Sequence, residues 1–273
     1  MAYRIMNRWR TKARQMLFKR LERNHPCYRQ RILNDMDRLY ALIRQGDLVL
    51  VEGRSDMSRI IKFFSSSHWS HVALYVGDRL VQPEHPDHAA TSSRFGNHAH
   101  RLVVEAFSGE GVIAAPLEKY RDFNIRICRP YGIDPDDLHA VIDEVVGNIG
   151  RHYDDRNILD IAKMVIAGAF NPASRRSRKV CLGGCNDFEV ICSGMIAKAF
   201  QKVGYPIVPD LTPLPTDKRA GIFNPYGARL LMRHYSQILP RDFDLSPNFE
   251  IIKFNILGRV FDYKALWQEK LQS

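Results

Sequence analysis

The sequence predicts an α+β protein built around an antiparallel sheet. Three observations point to this class. The middle of the chain holds four strand-length apolar runs: "GDLVLVEG" (46–53), "SHVALYVGD" (70–78), "RLVVEAF" (101–107) and "NIRICRP" (124–130). Their spacing is hairpin-like, and helical patterns are mixed in without the strict alternation of a doubly wound sheet. At 273 residues, with 45% apolar residues and no apolar run of membrane-spanning length, the chain suits a folded body of one large domain or two small ones.

Each element can be read in order. Residues 1–24 form an amphipathic helical pattern, with Ile5, Trp9, Ala13, Met16, Leu17 and Leu21 at helical spacing among basic residues, closed by His25-Pro26. A second helix is expected over about 28–43, from Ile32, Leu33, Met36, Leu39, Tyr40 and Ile43. The four strands follow. Between the second and third lies "PEHPDHAATSSRFGNHAH", read as a polar loop with His85, His88, His98 and His100. Asp134-Pro135 opens a helix to about Ile149, with Asp as N-cap and Pro in the first turn. Residues 158–170 read as an apolar helix followed by "RRSRK". Cys192 begins a helix that ends at Gly204, and "NFEIIKFNIL" (248–257) reads as a late strand. No internal repeat occurs.

Charge divides the chain. Residues 1–45 carry twelve Lys and Arg against Glu22, Asp35 and Asp37, a net +9 of the chain's formal +10. The expected organisation is therefore a basic amphipathic extension, 1–45, on a near-neutral body, 46–273. A basic arm on a neutral body suggests an anionic partner. With Trp9, Met16, Leu17 and Phe18 among its arginines, the arm has the composition of an interfacial helix, so an anionic membrane surface is the expected partner. No nucleic-acid motif accompanies it. The N-terminus lacks a signal-peptide pattern, which gives an expected location in the cytoplasm, peripheral on the inner membrane face.

Five cysteines, Cys27, Cys128, Cys181, Cys185 and Cys192, are an odd, irregularly spaced set that argues against a disulfide framework. Cys181, Cys185 and Cys192 have no second tight pair for a zinc site, and no metal or cofactor is expected. Cys192 has two readings. It shares a helical face with Met195, Ile196, Ala199 and Val203, as a core cysteine would. It also stands at a helix N-terminus, where partial positive charge lowers a thiol's pKa. His71 opens the second strand opposite in parity to Val72, Leu74 and Val76, which suits a cleft wall. Glu105 is a lone carboxylate inside "LVVEAF" and needs a partner there.

Taken together, "GDLVLVEG", "HWSHVALYVGD", "VVEAFSGEGV", "GRHYDD" and "ICSGMIAKAF", in this order from Gly46 to Gly204, resemble the permuted papain-like branch of the NlpC superfamily of cysteine hydrolases, the YiiX/YebB-like group. In unpermuted relatives the cysteine helix precedes the histidine strand; here His71 comes first. The resemblance implies a circularly permuted papain-like fold. It implies Cys192 as nucleophile, His71 as general base, Glu105 as the group orienting the imidazole, and Tyr153 lining the site near the oxyanion. Asp47 matches the Gly-Asp strand start in a structural role. Gly194 stands where this branch commonly has Glu, and the segment from Asp155 to Val190 is long for the family.

The implied activity is hydrolysis of an amide or ester through an acyl-cysteine, on a small molecule, peptide or lipid, with a lipid or acyl-amide at the membrane face favoured. Three alternatives stand beside it. One is an acyltransferase of the lecithin–retinol acyltransferase type. The second is an amidase or endopeptidase on peptidoglycan-type peptides, and the third a non-catalytic membrane-binding scaffold.

Overall fold

The computed structural model describes residues 28–107, 110–151, 192–213 and 228–255. Its centre is a six-stranded sheet in the order β4-β3-β2-β1-β5-β8, every neighbouring pair antiparallel. The strands are β1 (Leu48–Val51), β2 (His71–Gly77), β3 (Leu102–Phe107), β4 (Gly111–Pro116), β5 (Ile125–Pro130) and β8 (Phe249–Ile252). A separate two-stranded sheet joins β6 (Pro209–Pro213) to β7 (Ala228–Met232). The helices are α1 (Met36–Leu42), α2 (Asp56–Ser65), α3 (His88–Phe95), α4 (Pro135–Val146), α5 (Cys192–Lys202) and α6 (Pro240–Asp244).

Strand parity sorts the core into two layers. Leu48, Leu50, Val72, Leu74, Val76, Leu102 and Val104 face α4 and α5, where Val141, Ile142, Met195, Ile196 and Phe200 complete one buried cluster. Val49, Val51, Ala73, Tyr75, Val103 and Ile127 face the other way, onto Met36 and Leu39 of α1 and onto Leu117 and Tyr120. Both faces of β2 are therefore buried, so the face shared by His71, Ala73 and Tyr75 is a second core layer and not an open wall.

Local chemistry sets the element ends. Asp134 caps α4 by accepting from the Asp136 amide, and Pro135 fills the first turn, whose amide needs no helical partner. Ser55 caps α2 through the Ser58 amide. Gly46 turns the chain into β1 with φ +89, a backbone region L side chains avoid. Asp47 then accepts from the Arg44 amide at 2.8 Å and from the Arg129 guanidinium at 2.8 and 2.7 Å, joining the start of β1 to β5. This is the structural role that the resemblance implied.

The expected elements differ from the observed ones at several places. The helix expected over 28–43 is confined to Met36–Leu42, with Asp35 as its N-cap. Before it, Tyr28, Arg29, Arg31 and Asn34 make long-range hydrogen bonds to the 120–124 turn, which compete with helix formation. Residues 28–43, assigned to the extension on charge alone, thus pack onto the sheet. The polar loop contains helix α3, which buries only Thr91 and so shows no apolar stripe. Helix α2 and strand β4 were not read from the sequence. The Asp155–Val190 segment, the 158–170 helix and residues 1–27 lie outside the described residues. Among the described residues no helix is long and apolar enough to cross a membrane.

The ring of Phe200 is fully buried and sits 5.5 and 5.4 Å from those of Tyr205 and Phe249. Phe200→Ala should destabilise the protein by about 3–5 kcal/mol, the range for truncating a buried aromatic residue. Urea unfolding followed by circular dichroism measures this, and a loss below about 1 kcal/mol would mean that α5 is not held through this cluster.

Candidate active site

One end of the sheet gathers the candidate residues. Val51 ends β1 opposite both His71 and Ile125, and Phe107 ends β3 beside them. Helix α5 packs on the Val72 face and brings its first residue, Cys192, to this end. The start of the helix is pinned by Ser193, whose hydroxyl donates to the Ile238 carbonyl at 2.7 Å. The start of β2 is pinned as well. Trp69 donates its indole N–H to Asp244 at 2.9 Å, and Ser70 accepts the Gly53 amide at 2.9 Å. His71 thus enters the sheet from two fixed residues.

The structure brings three of the four expected residues together. His71 Nε2 and Glu105 Oε2 are 2.6 Å apart, and the imidazole is also hydrogen-bonded to Cys192. With Nε2 engaged by the carboxylate, Nδ1 is the ring nitrogen left for the sulfur. The order along the contact chain is carboxylate, imidazole, thiol. Phe107 packs edge-on to the imidazole at 5.2 Å. Tyr153, the fourth expected residue, lies outside the described residues, as do Cys27, Cys181 and Cys185. His88, His98 and His100 are exposed and take no part. Among the described residues no group of three side chains could hold a metal.

Two residues of this site were not anticipated. Glu105 is fully buried, and its carboxylate also receives the Lys119 ammonium on Oε1 and the Tyr120 hydroxyl on Oε2. Lys119 and Tyr120 come from the turn after β4, at positions 14 and 15 residues beyond Glu105. A lone acid inside an apolar strand demands such partners, but it does not say which distant cations and hydroxyls supply them.

The electrostatics follow from these contacts. Burial opposes charge on His71, yet the Cys192 sulfur and the Glu105 carboxylate outweigh it and push the imidazole up to about 10. Burial likewise opposes a Cys192 thiolate, but the His71 imidazolium and the Val72 and Ser193 amides hold the thiol below its ordinary value. Glu105 is held down at about 2, because His71 and Lys119 outweigh its burial. Cys128 makes the contrast: burial, with nearby Asp244, pushes that thiol up to about 12. Of the two described free thiols, only Cys192 is set up as a thiolate, paired with an imidazolium.

Residues 42–161 match the family model described as permuted papain-like amidase enzyme, YaeF/YiiX, C92 family. The fold is that of the permuted papain-like family. The matched stretch holds His71 and Glu105 and ends before Cys192, so helix α5 is tied to them by the geometry above and not by the family pattern. Among solved structures, the chain is similar to the one titled metalloprotein yiiX from Escherichia coli O157:H7. The two are 15% identical, with a TM-score of 0.43, and the comparison covers 77% of this chain and 97% of that one. That likeness is too distant to bear on the site. No curated protein matches the sequence.

These shifts give a signed prediction for Cys192. Its thiolate should form below the ordinary free-thiol value of about 8.5. Iodoacetamide should therefore modify Cys192 rapidly near neutral pH and leave Cys128 untouched. Reactivity should fall as pH drops through the lowered thiol value. In Glu105→Gln the imidazolium loses its carboxylate, so the midpoint of the pH–rate profile should move upward. Mass spectrometry of alkylated peptides across pH measures both effects, and an unchanged profile in Glu105→Gln would separate the carboxylate from the thiol.

Proposed function

We propose that this protein is a cysteine hydrolase that cleaves an amide through an acyl-cysteine, with Cys192 as nucleophile, His71 as acid and base, and Glu105 as the residue orienting the imidazole. The observation that carries the reading is the buried Cys192–His71–Glu105 chain, in which the thiolate and the imidazolium are the favoured partners. The amidase family matched by residues 42–161 supports an amide over an ester.

The residues present suffice for each step. The Cys192 thiolate adds to the substrate carbonyl, and the C–N bond breaks as the His71 imidazolium gives its proton to the leaving nitrogen. His71, now neutral, takes a proton from water, whose oxygen attacks the thioester. Collapse releases the acid and returns the thiolate beside a protonated imidazole. Glu105 remains ionised throughout and holds the ring by Nε2, as a third group must in such a site. The charge on the carbonyl oxygen would be met by amides at the start of α5, where helix N–H groups lack internal partners. Tyr153 is assigned to the same region on the family pattern alone.

The membrane surface enters through residues 1–45. Within them, residues 1–27 carry eight Lys and Arg against Glu22, a net +7, and with the apolar set Ile5, Trp9, Met16 and Leu17 they support an arm that places the enzyme on an anionic bilayer and favours acyl-amide or lipid substrates. Each basic residue near such a surface contributes about 1 kcal/mol, screened over a Debye length of about 10 Å at 0.1 M salt.

Two outcomes test this function. Cys192→Ala should abolish turnover of acyl-amide substrates, and His71→Ala should lower kcat by about 10²–10⁴. Quenched turnover should yield a covalent adduct on Cys192, whose mass names the acyl group; turnover without any adduct, or turnover surviving in Cys192→Ala, would defeat the mechanism. For the membrane arm, the full chain should bind vesicles containing phosphatidylglycerol and release with added salt. Deletion of residues 1–24 should remove that binding while Cys192 stays reactive, because the motifs that carry His71, Glu105 and Cys192 begin only at Gly46. Full vesicle affinity in the truncated protein would assign the membrane contact elsewhere.

A further inference from the structure

A cavity of about 220 Å³ opens beside the candidate active site, lined by Tyr28, Arg29, Glu52, Arg54, Arg59 and Lys62. Its place follows from the sheet register. Val51 stands opposite His71, so Glu52 begins the cavity wall one residue beyond the imidazole's cross-strand neighbour. Neighbouring strands lie about 4.8 Å apart. Gly53, the next residue of the wall, donates its amide to Ser70, directly before His71, at 2.9 Å. A Cβ on Gly53 would meet the Ser58 and Ser70 hydroxyls at 2.1 and 2.8 Å, so glycine is what lets the wall lie this close.

Four cations line the cavity against one carboxylate. Glu52 is already saturated, by Arg31 at 2.6 Å, Lys62 at 3.2 Å and the Asn124 amide at 2.9 Å. It fixes Arg31 and Lys62 and leaves Arg29, Arg54 and Arg59 to face an incoming group. Arg54 is held in place: its guanidinium lies 4.7 Å from the Tyr28 ring centre and 4.0 Å from that of Phe123, and it donates to the Asp122 carbonyl. Its Nε is buried and has no acceptor among the described residues. Among the described residues Arg59 is paired with a partly exposed Asp56, at 3.5 Å. A stacked arginine beside two exposed arginines is an arrangement suited to a planar or tetrahedral oxyanion. The volume is below the 300–1,000 Å³ or so that encloses a whole drug-sized ligand, so it fits one charged group.

We infer that this cavity is an anion subsite that receives an acidic group of the substrate, a carboxylate or a phosphate, while the scissile amide lies at Cys192. The inference rests on the hydrolase reading for the identity of the anion as part of the substrate. Binding of the anion itself does not depend on catalysis.

Calorimetric titration of the full-length Cys192→Ala protein tests it, with inorganic phosphate in one arm and acetate in the other, at ionic strength fixed with chloride. Saturable one-to-one binding of at least one probe is expected, and the preferred probe tells a phosphate from a carboxylate. Arg29→Gln/Arg59→Gln, changes at surface positions, should weaken that binding at least tenfold with an unchanged circular dichroism spectrum. Arg59→Glu alone should weaken it further than Arg59→Gln. Absence of saturable binding overturns the inference, as does binding unchanged by the double substitution, which would place the anion on the N-terminal arm. Loss of turnover in Cys192→Ala with anion binding intact separates the two readings: the subsite then stands whether or not the catalytic assignment does.

Discussion

The site depends on a carboxylate with no access to water. Glu105 is fully buried in β3, between β2 and β4, and it survives there as an anion because three donors converge on two oxygens. Removing one partner from a buried ion pair costs about 3–5 kcal/mol, because the remaining charge is stranded. The same constraint runs outward. The carboxylate favours the imidazolium of His71, and the imidazolium favours the thiolate of Cys192. A charge fixed on β3 therefore sets the protonation of a sulfur on a helix from a distant part of the chain.

This arrangement explains why Lys119 and Tyr120 belong to the site although neither touches the sulfur. A single cation on Glu105 would compete with His71 for the anion's field. Here Lys119 takes Oε1, while His71 and Tyr120 share Oε2. Glu105 keeps a directional bond to Nε2 while its other oxygen holds the Lys119 ammonium. Tyr120 is itself held neutral by burial and by the carboxylate it serves, its value raised well above the ordinary phenol range. Its proton stays available for donation, which is the role the carboxylate needs.

How much of this was legible in the sequence differs residue by residue, for physical reasons. His71 stood out because it opens an apolar strand on the face away from Val72, Leu74 and Val76, and Glu105 because a lone charge inside an apolar run needs a partner. The α4 start was legible because Asp134-Pro135 carries its own capping chemistry. Lys119, Tyr120 and helix α3 were not, because their roles come from tertiary contact. Lys and Tyr in a turn look solvated until the fold folds the turn back on β3, and α3 buries only one threonine. The arm's inner boundary was obscured for a related reason. Arg29, Arg31 and Asn34 read as part of a charged extension, yet hydrogen bonds to residues 121–124 and the salt bridge from Arg31 to Glu52 tie them to the body. Charge summed along a chain does not distinguish a solvated arginine from one that closes a cavity.

The permuted order is tolerated because nothing in the site requires chain continuity between its parts. His71 and Glu105 are related by strand register, which the β2–β3 pairing fixes. Cys192 is related to both by the docking of α5 on the Val72 face, which depends on Met195, Ile196, Ala199 and Phe200 filling the core and on Ser193 bonding Ile238. Apolar burial is non-directional, so it can hold α5 near the sheet but cannot alone set where along the strands its first residue falls. The directional contacts do that: Ser193 to Ile238 on the helix side, Trp69 to Asp244 and Ser70 to Gly53 on the strand side. The residues flanking the nucleophile and the base therefore carry the positional information.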